Sequence, residues 1–217
     1  MAIDQYTFDD PTTRYPSITP SSGEDQPEPG LDADLGPQAD LGENTYRGTG
    51  RLDGRRAIVT GGDSGIGAAT AIAFAREGAD VLISYLPEEE EDAQRIAGLI
   101  RDAGRTAVTA PGDLTDKAYC EEIVARAVEE FGGLDILVNN AGKQIEQESL
   151  EDIDDDQLID TYETNILAMF PEFGKDTPLG RAGQPAELAP AYVFLASAES
   201  SYVVGETLNV NGGSPTP

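Results

Sequence analysis

The densest run of chemically useful residues is Thr60-Gly61-Gly62-Asp63-Ser64-Gly65-Ile66-Gly67. It stands between an apolar run, Arg56 to Thr60, and a stretch with a helical Ala/Ile/Phe face from Ser64 to Glu77. Glycines at a strand-to-helix turn let backbone come close to a bulky anion. The helix N-terminus adds unpaired N–H groups and the positive end of its dipole. A diphosphate is the expected ligand. A tight turn in which Asp63 or Ser64 caps the helix explains the polar residues, but not three well-placed glycines.

Other chemistries are excluded by what the chain lacks. It has no histidine, which removes Ser-His-Asp and Cys-His catalysis and every His-ligated metal site. Cys120 is the single cysteine, so no intrachain disulfide forms and nothing calls for an oxidising compartment. Acidic residues number 41 against 14 basic ones, for a formal net charge of −27. That surface repels phosphate backbones and anionic lipid, which argues against nucleic-acid and membrane partners. No apolar run reaches the length of a membrane span, and the start, MAIDQYTFDD, lacks a basic region followed by an apolar one. A cytoplasmic location is the default expectation.

The elements that must position the glycine turn are legible in the apolar pattern. Residues 1–50 are rich in Pro, Asp, Glu, Gly and Ser with no sustained period, which predicts an extended or disordered arm. Tyr6, Phe8, Tyr15, Leu31, Leu35 and Tyr46 are candidate anchors for it on a neighbouring subunit. From 51 to 217 short apolar runs alternate with helical patterns. Strands are expected at 56–60, 81–85, 106–110, 134–138 and 206–210. Helices are expected at 64–77, 89–103, 115–131 (capped by Thr115), within 150–170, and at 185–197. Apolar, unalternating strands separated by helices predict an α/β fold with a doubly wound parallel sheet covered on both faces.

The turn has the spacing G-x-x-x-G-x-G. Asp113-Leu114 follows the third strand, Asn139-Asn140-Ala141-Gly142 the fourth, and Asn165 stands in Asn165-Ile166-Leu167-Ala168-Met169-Phe170. In this order and spacing they resemble the short-chain dehydrogenase/reductase family. Pro178-Leu179-Gly180-Arg181 and Val210-Asn211-Gly212-Gly213 resemble its C-terminal segment. The Pro-rich arm leading into the GGDSGIG loop is similar to the glucose/ribitol-type subgroup. The resemblance implies a Rossmann-like, seven-stranded sheet and hydride transfer between a nicotinamide and an alcohol or carbonyl carbon, with sugars and polyols as candidate substrates. It implies that Gly61, Ser64, Gly65, Ile66 and Gly67, with Asp63 beside them, hold the diphosphate and adjoining ribose. Asp113 is then expected at the adenine with Leu114 alongside. Asn139, Ala141 and Gly142 are expected at the nicotinamide-side ribose. Asn139 and Asn140 have a second reading, as braces between strands. Family members are commonly homotetramers, so a homo-oligomer is possible.

Cofactor choice turns on the end of the second strand, Ser84-Tyr85-Leu86-Pro87 followed by Glu88 to Glu91. Tyr85 is counted among the cofactor-binding residues. A phosphate on the adenosine ribose wants a nearby Arg or Lys, and this turn has none. Asp63 and the glutamates add repulsion. NAD is favoured over NADP, with distant Arg105 the one residue that keeps NADP open.

The resemblance also shows what is missing. The family uses a Tyr as proton donor and acceptor, with a Lys four residues later that lowers the Tyr pKa. None of the eight tyrosines here is followed by Lys at that distance. Of the catalytic tetrad only Asn165 has a counterpart. The pattern breaks at Phe170–Pro171, where two strands of the family's seven and the catalytic helix are expected. At roughly 30 residues per strand–helix unit, some 60 to 80 residues are absent. The expectation is an oxidoreductase of this family that is inactive as a 217-residue chain, its small alcohol or carbonyl substrate served only by a full-length form. The alternatives are a non-catalytic dinucleotide-binding protein and a gene fragment.

Overall fold

A computed structural model describes residues 4–7, 10, 13, 15, 39–143, 149, 154, 157, 161, 185–197 and 199. Four apolar runs form strands: β1 (Arg56–Thr60), β2 (Asp80–Tyr85), β3 (Ala107–Pro111) and β4 (Ile136–Val138). The helices are α1 (Gly65–Arg76), α2 (Glu90–Asp102), α3 (Lys117–Phe131) and α4 (Pro185–Ala196). All strand pairs are parallel, in the order β3-β2-β1-β4. That order, with helices between successive strands, is the Rossmann-like doubly wound arrangement. Four of the expected strands are thus present. The expected strand at 206–210 lies outside the described residues; of the helix expected within 150–170 only residues 154, 157 and 161 are described, and Gln157 and Thr161 are helical.

Both faces of β1 are buried, as its unbroken apolar run requires. Ala57 and Val59 join the larger core with α1, α2 and α4. Ile58 and Leu82 join the smaller one with Ile123 and Ala127 of α3. Helix α1 is buried along Gly67–Ala75 because it is wedged between the sheet and α4. Its small side chains make that double packing possible.

Two boundaries differ from the sequence reading. Pro87–Glu89 form a short 3-10 turn before α2. Helix α3 is capped by Asp116, whose carboxylate accepts the Ala118 N–H at 2.8 Å, and not by Thr115. The N–H of Thr115 is already tied to the Asp113 carboxylate at 2.8 Å, which closes a turn ahead of the helix.

Residues 39–51 run across the C-terminal end of α1. The Arg76 guanidinium donates to the carbonyls of Gly42, Glu43 and Tyr46. Leu41 and Tyr46 are buried. Tyr46, a candidate anchor on a neighbouring subunit, instead donates its hydroxyl to Glu77 of its own chain at 2.6 Å. Glu77 is 0% exposed. Its carboxylate also accepts the N–H groups of Thr49 and Arg51, each at 2.9 Å, and pairs with the Arg51 guanidinium at 3.0 Å. Burial by itself raises a carboxyl pKa. The bonds from Tyr46, Arg51 and Thr49 outweigh it and hold Glu77 down at about 2. The ionised carboxylate therefore stabilises the fold above its unfolded pKa of 4.5, and that contribution is lost as pH falls through about 2.

Glu77→Gln is expected to lower unfolding free energy by roughly 2–3 kcal/mol at neutral pH. This discounts the ~3–5 kcal/mol of a fully buried pair because Arg51 is partly exposed. Urea unfolding of both chains at several pH values checks it. The gap should close between pH 4.5 and about 2.

Candidate functional site

The glycine turn leaves the C-terminal end of β1, the end at which parallel α/β sheets bind ligands. Gly61 has φ +59° and Gly65 φ +51°, a left-handed backbone that side chains disfavour. Gly67 is held by space: a Cβ there would fall on the Gly61 carbonyl and against the Asn140 amide. Ser64 begins α1 with extended backbone and makes no side-chain capping bond. The first N–H groups of α1 are thereby left for a ligand. The capping alternative for Ser64 is not realised. A cradle that a Cβ would fill, next to an uncapped helix start, fits a diphosphate.

The turn is held from the β4 side. Thr60 Oγ1 accepts the N–H groups of Asn140 (2.9 Å) and Ala141 (3.1 Å). The Asn140 side chain donates to the carbonyls of Thr60 and Gly61, each at 3.0 Å. Asn140 is the brace that its second reading described. The Thr60 hydroxyl was missed in the sequence; its only signal was a Thr as the last strand residue before a glycine. Asn139, Ala141 and Gly142 follow β4 beside the turn, with Asn139 and Gly142 exposed.

The other candidates lie along the same edge. Asp113 is exposed after β3, with one carboxylate oxygen occupied by Thr115 N–H. Leu114 is half-buried, and its carbonyl accepts the Cys120 thiol. Tyr85 ends β2 buried, and its hydroxyl donates to Glu90 at 2.8 Å, so it is engaged within the protein. Burial, reinforced by that bond, pushes the Tyr85 hydroxyl up to about 12. Arg105 stands at the opposite end of the sheet, just before β3. It pairs there with Asp80 at 2.9 Å, where β2 begins. It does not reach the glycine turn. Asn165 lies outside the described residues.

Asp63 is 2% exposed. Burial, with Glu89 and then Asp92 nearby, pushes its carboxyl up to about 7, against hydrogen bonds from its own backbone and Ser64. Glu89 is raised as well, first by burial. Acidic groups are therefore gathered beside the turn. Among the described residues no group of His, Cys, Asp and Glu is arranged to hold a metal ion, and no helix is long and apolar enough to cross a membrane.

Strand order, glycine turn and β4 brace define a Rossmann-like α/β protein. Residues 55–173 match the family model of the short chain dehydrogenases, and residues 167–214 match that described as enoyl-(acyl carrier protein) reductase. The chain is 38% identical to the uncharacterized oxidoreductase YghA of Escherichia coli, over 290 aligned positions covering 94% of this chain and 97% of that one. It is 28% identical to the glucose and ribitol dehydrogenase of Daucus carota, covering 86% and 94%. Among solved structures, a short chain dehydrogenase from Burkholderia cenocepacia in complex with NADP superposes with TM-score 0.67 at 25% identity, covering 75% of this chain and 98% of that one. An NADH-dependent reductase complexed with NAD gives TM-score 0.65 at 30% identity, covering 76% and 98%. The chain belongs to the short-chain dehydrogenase family of oxidoreductases.

Gly67→Ala is expected to force α1 away from the turn, with a loss of roughly 2 kcal/mol in stability and about tenfold in dinucleotide affinity. Calorimetric titration and chemical unfolding read the two effects. Asp63 predicts a stability that falls with rising pH. Its unfolded pKa is 3.8 and its folded pKa about 7, so the native state binds the extra proton between these values. Asp63→Asn should remove most of that fall; an unchanged pH profile would show that Asp63 is not its source.

Proposed function

We propose that this chain is the nicotinamide-dinucleotide-binding half of a short-chain oxidoreductase, that it prefers NAD to NADP, and that it binds without catalysing hydride transfer. The observation that carries the reading is the Gly61–Gly67 turn braced by Asn140, in a sequence with no Tyr-x-x-x-Lys pair. When bound, the nicotinamide would accept or donate hydride. Gly61, Ser64, Gly65, Ile66 and Gly67 would hold the diphosphate. Asp113 would face the adenine, and Asn139, Ala141 and Gly142 the second ribose.

Preference for NAD rests on charge. No Arg or Lys stands between residues 77 and 94. Asp63, Glu89 and Asp92 lie close together beside the turn, and added negative charge there would disfavour an additional phosphate. Arg105 is committed to Asp80 at the far end. The absence of turnover rests on acid–base chemistry. A proton must pass to or from the substrate oxygen, and an unassisted Tyr near pKa ~10 does this poorly.

The length of the alignment supports an internal gap. YghA aligns over 290 positions, against a chain of 217 residues. A form that carries the catalytic block would act on a small alcohol or carbonyl compound, with polyols and sugars favoured by the likeness to the Daucus carota enzyme. Homo-oligomers would form through the family's crossover helices in that form.

Titration with NADH and NADPH followed by fluorescence, with turnover assays on glucose, ribitol and simple aldehydes, tests the proposal. NADH should bind about tenfold or more tightly than NADPH, with no hydride transfer. Equal affinities would remove the NAD preference. Turnover by the 217-residue chain would overturn the claim of inactivity. No binding of either would overturn the cofactor reading itself.

A further inference from the structure

Asp63 is the one acidic residue of the glycine turn, and it is buried. It directly precedes Ser64, the residue from which α1 starts. Only two residues lie between its Cα and that of Gly65, a span of at most ~7 Å. The chain thus holds a buried carboxyl beside the N–H groups that form the diphosphate cradle. The turn is also pressed onto the end of β2. Gly62 donates its N–H to the Ser84 carbonyl at 3.2 Å, and a Cβ on Gly62 would fall on the Ile83 side chain. From that side Glu89 and then Asp92 act on Asp63. Asp92 is buried and Glu89 half-buried. Glu88 adds its charge to Glu89, while Glu90 is bound to Tyr85 and Gln94. The cation of the same helix segment, Arg95, is exposed. On the helix side the Ser64 hydroxyl donates to Asp63. The chain after β4 brings the uncharged Asn139 and Asn140 to the turn.

We propose that dinucleotide binding at this turn is coupled to protonation of Asp63, so that the chain takes up a proton as it binds and its affinity falls as pH rises. The proposal rests on the reading that the turn holds a diphosphate. Two effects act in the same direction. The diphosphate brings negative charge to the cradle, well inside the screening length of ~8–10 Å, and a buried carboxyl is screened less than an exposed one. Added negative charge favours the neutral carboxyl. The second effect is competition for a donor. Ser64 is both the hydroxyl that supports the ionised form of Asp63 and one of the residues expected at the diphosphate. When that hydroxyl turns to a phosphate oxygen, Asp63 loses a bond that favours its charge.

The pH window follows from the free protein. Burial and the two neighbouring carboxylates already lift Asp63 to about 7, and a bound diphosphate lifts it further. Below that value Asp63 is protonated in the free and the bound chain alike, and affinity is flat. Above it the free chain has lost the proton that the bound chain keeps. Affinity then falls until the higher value of the bound state is passed. The chain has no histidine, so no imidazole titrates in this window.

The test is calorimetric titration of the full chain with NADH from pH ~6 to ~9, in buffers of different ionisation heat, which counts the protons taken up. NADH is the probe because the additional phosphate of NADPH itself titrates near pH ~6. Affinity should fall about tenfold across the range, the equivalent of about one pKa unit of coupling. Uptake should peak at about half a proton per NADH near pH ~7.5. Asp63→Asn should bind NADH with no uptake and a flat profile. A second variant, Glu89→Gln, guards against misfolding of the first, since it keeps an oxygen for the Leu86 N–H. With one negative charge removed, the fall in affinity should begin at lower pH. Binding without proton uptake, a wild-type slope in Asp63→Asn, or an unmoved onset in Glu89→Gln would overturn the coupling and leave the dinucleotide site standing. No NADH binding at any pH would overturn both.

Discussion

The structure hangs on how closely α1 approaches the end of β1. That approach exists because Gly67 presents no side chain to the Gly61 carbonyl. The carbonyl is not left bare by the approach. Asn140 donates to it and to the carbonyl of Thr60. Thr60 in turn accepts two N–H groups from the chain after β4. A single knot thus joins β1, α1 and β4. It gives the glycine turn its shape and sets the position of the loop that would face a nicotinamide. Binding geometry and core packing are here the same set of contacts.

The charge distribution follows from that placement. Phosphates need the positive end of α1 and open N–H groups, and the turn keeps both by leaving Ser64 out of the cap. Beyond the turn the wall becomes acidic, with Asp63 buried next to Glu89 and Asp92. The two features set an uncapped helix start beside a cluster of acidic side chains. Arg51, Arg55, Arg56 and Arg105 all find carboxylates at the opposite end of the sheet.

Much of this was legible in the residues because local signals agreed with the fold. The glycine spacing, the apolar strands and the Gly-terminated helices each placed an element within two residues of its position. Asn140 was readable only as one of two roles, since an amide next to a strand end serves ligand and backbone equally well. Contacts over long sequence separations were not readable. Nothing around Glu77 distinguishes it from a solvated helix-end glutamate, yet residues 26 to 31 positions earlier close around it. Thr115 and Asp116 were both plausible caps, and the choice fell to Asp116 because Asp113 had already taken the Thr115 N–H. The end at which Arg105 would lie depended on chain direction through the sheet, and a sequence pattern carries no such coordinate.

The strap of residues 39–51 has a bearing on the order of events during synthesis. Its tyrosine and arginine leave the ribosome before the carboxylate that they enclose. Until α1 is complete, Tyr46 and Arg51 have no Glu77 to meet. A chain made from its N-terminus therefore carries this strap without its Glu77 partner until α1 has been synthesised. The strap's contacts with Glu77 close only after the chain has extended 26 to 31 residues beyond them.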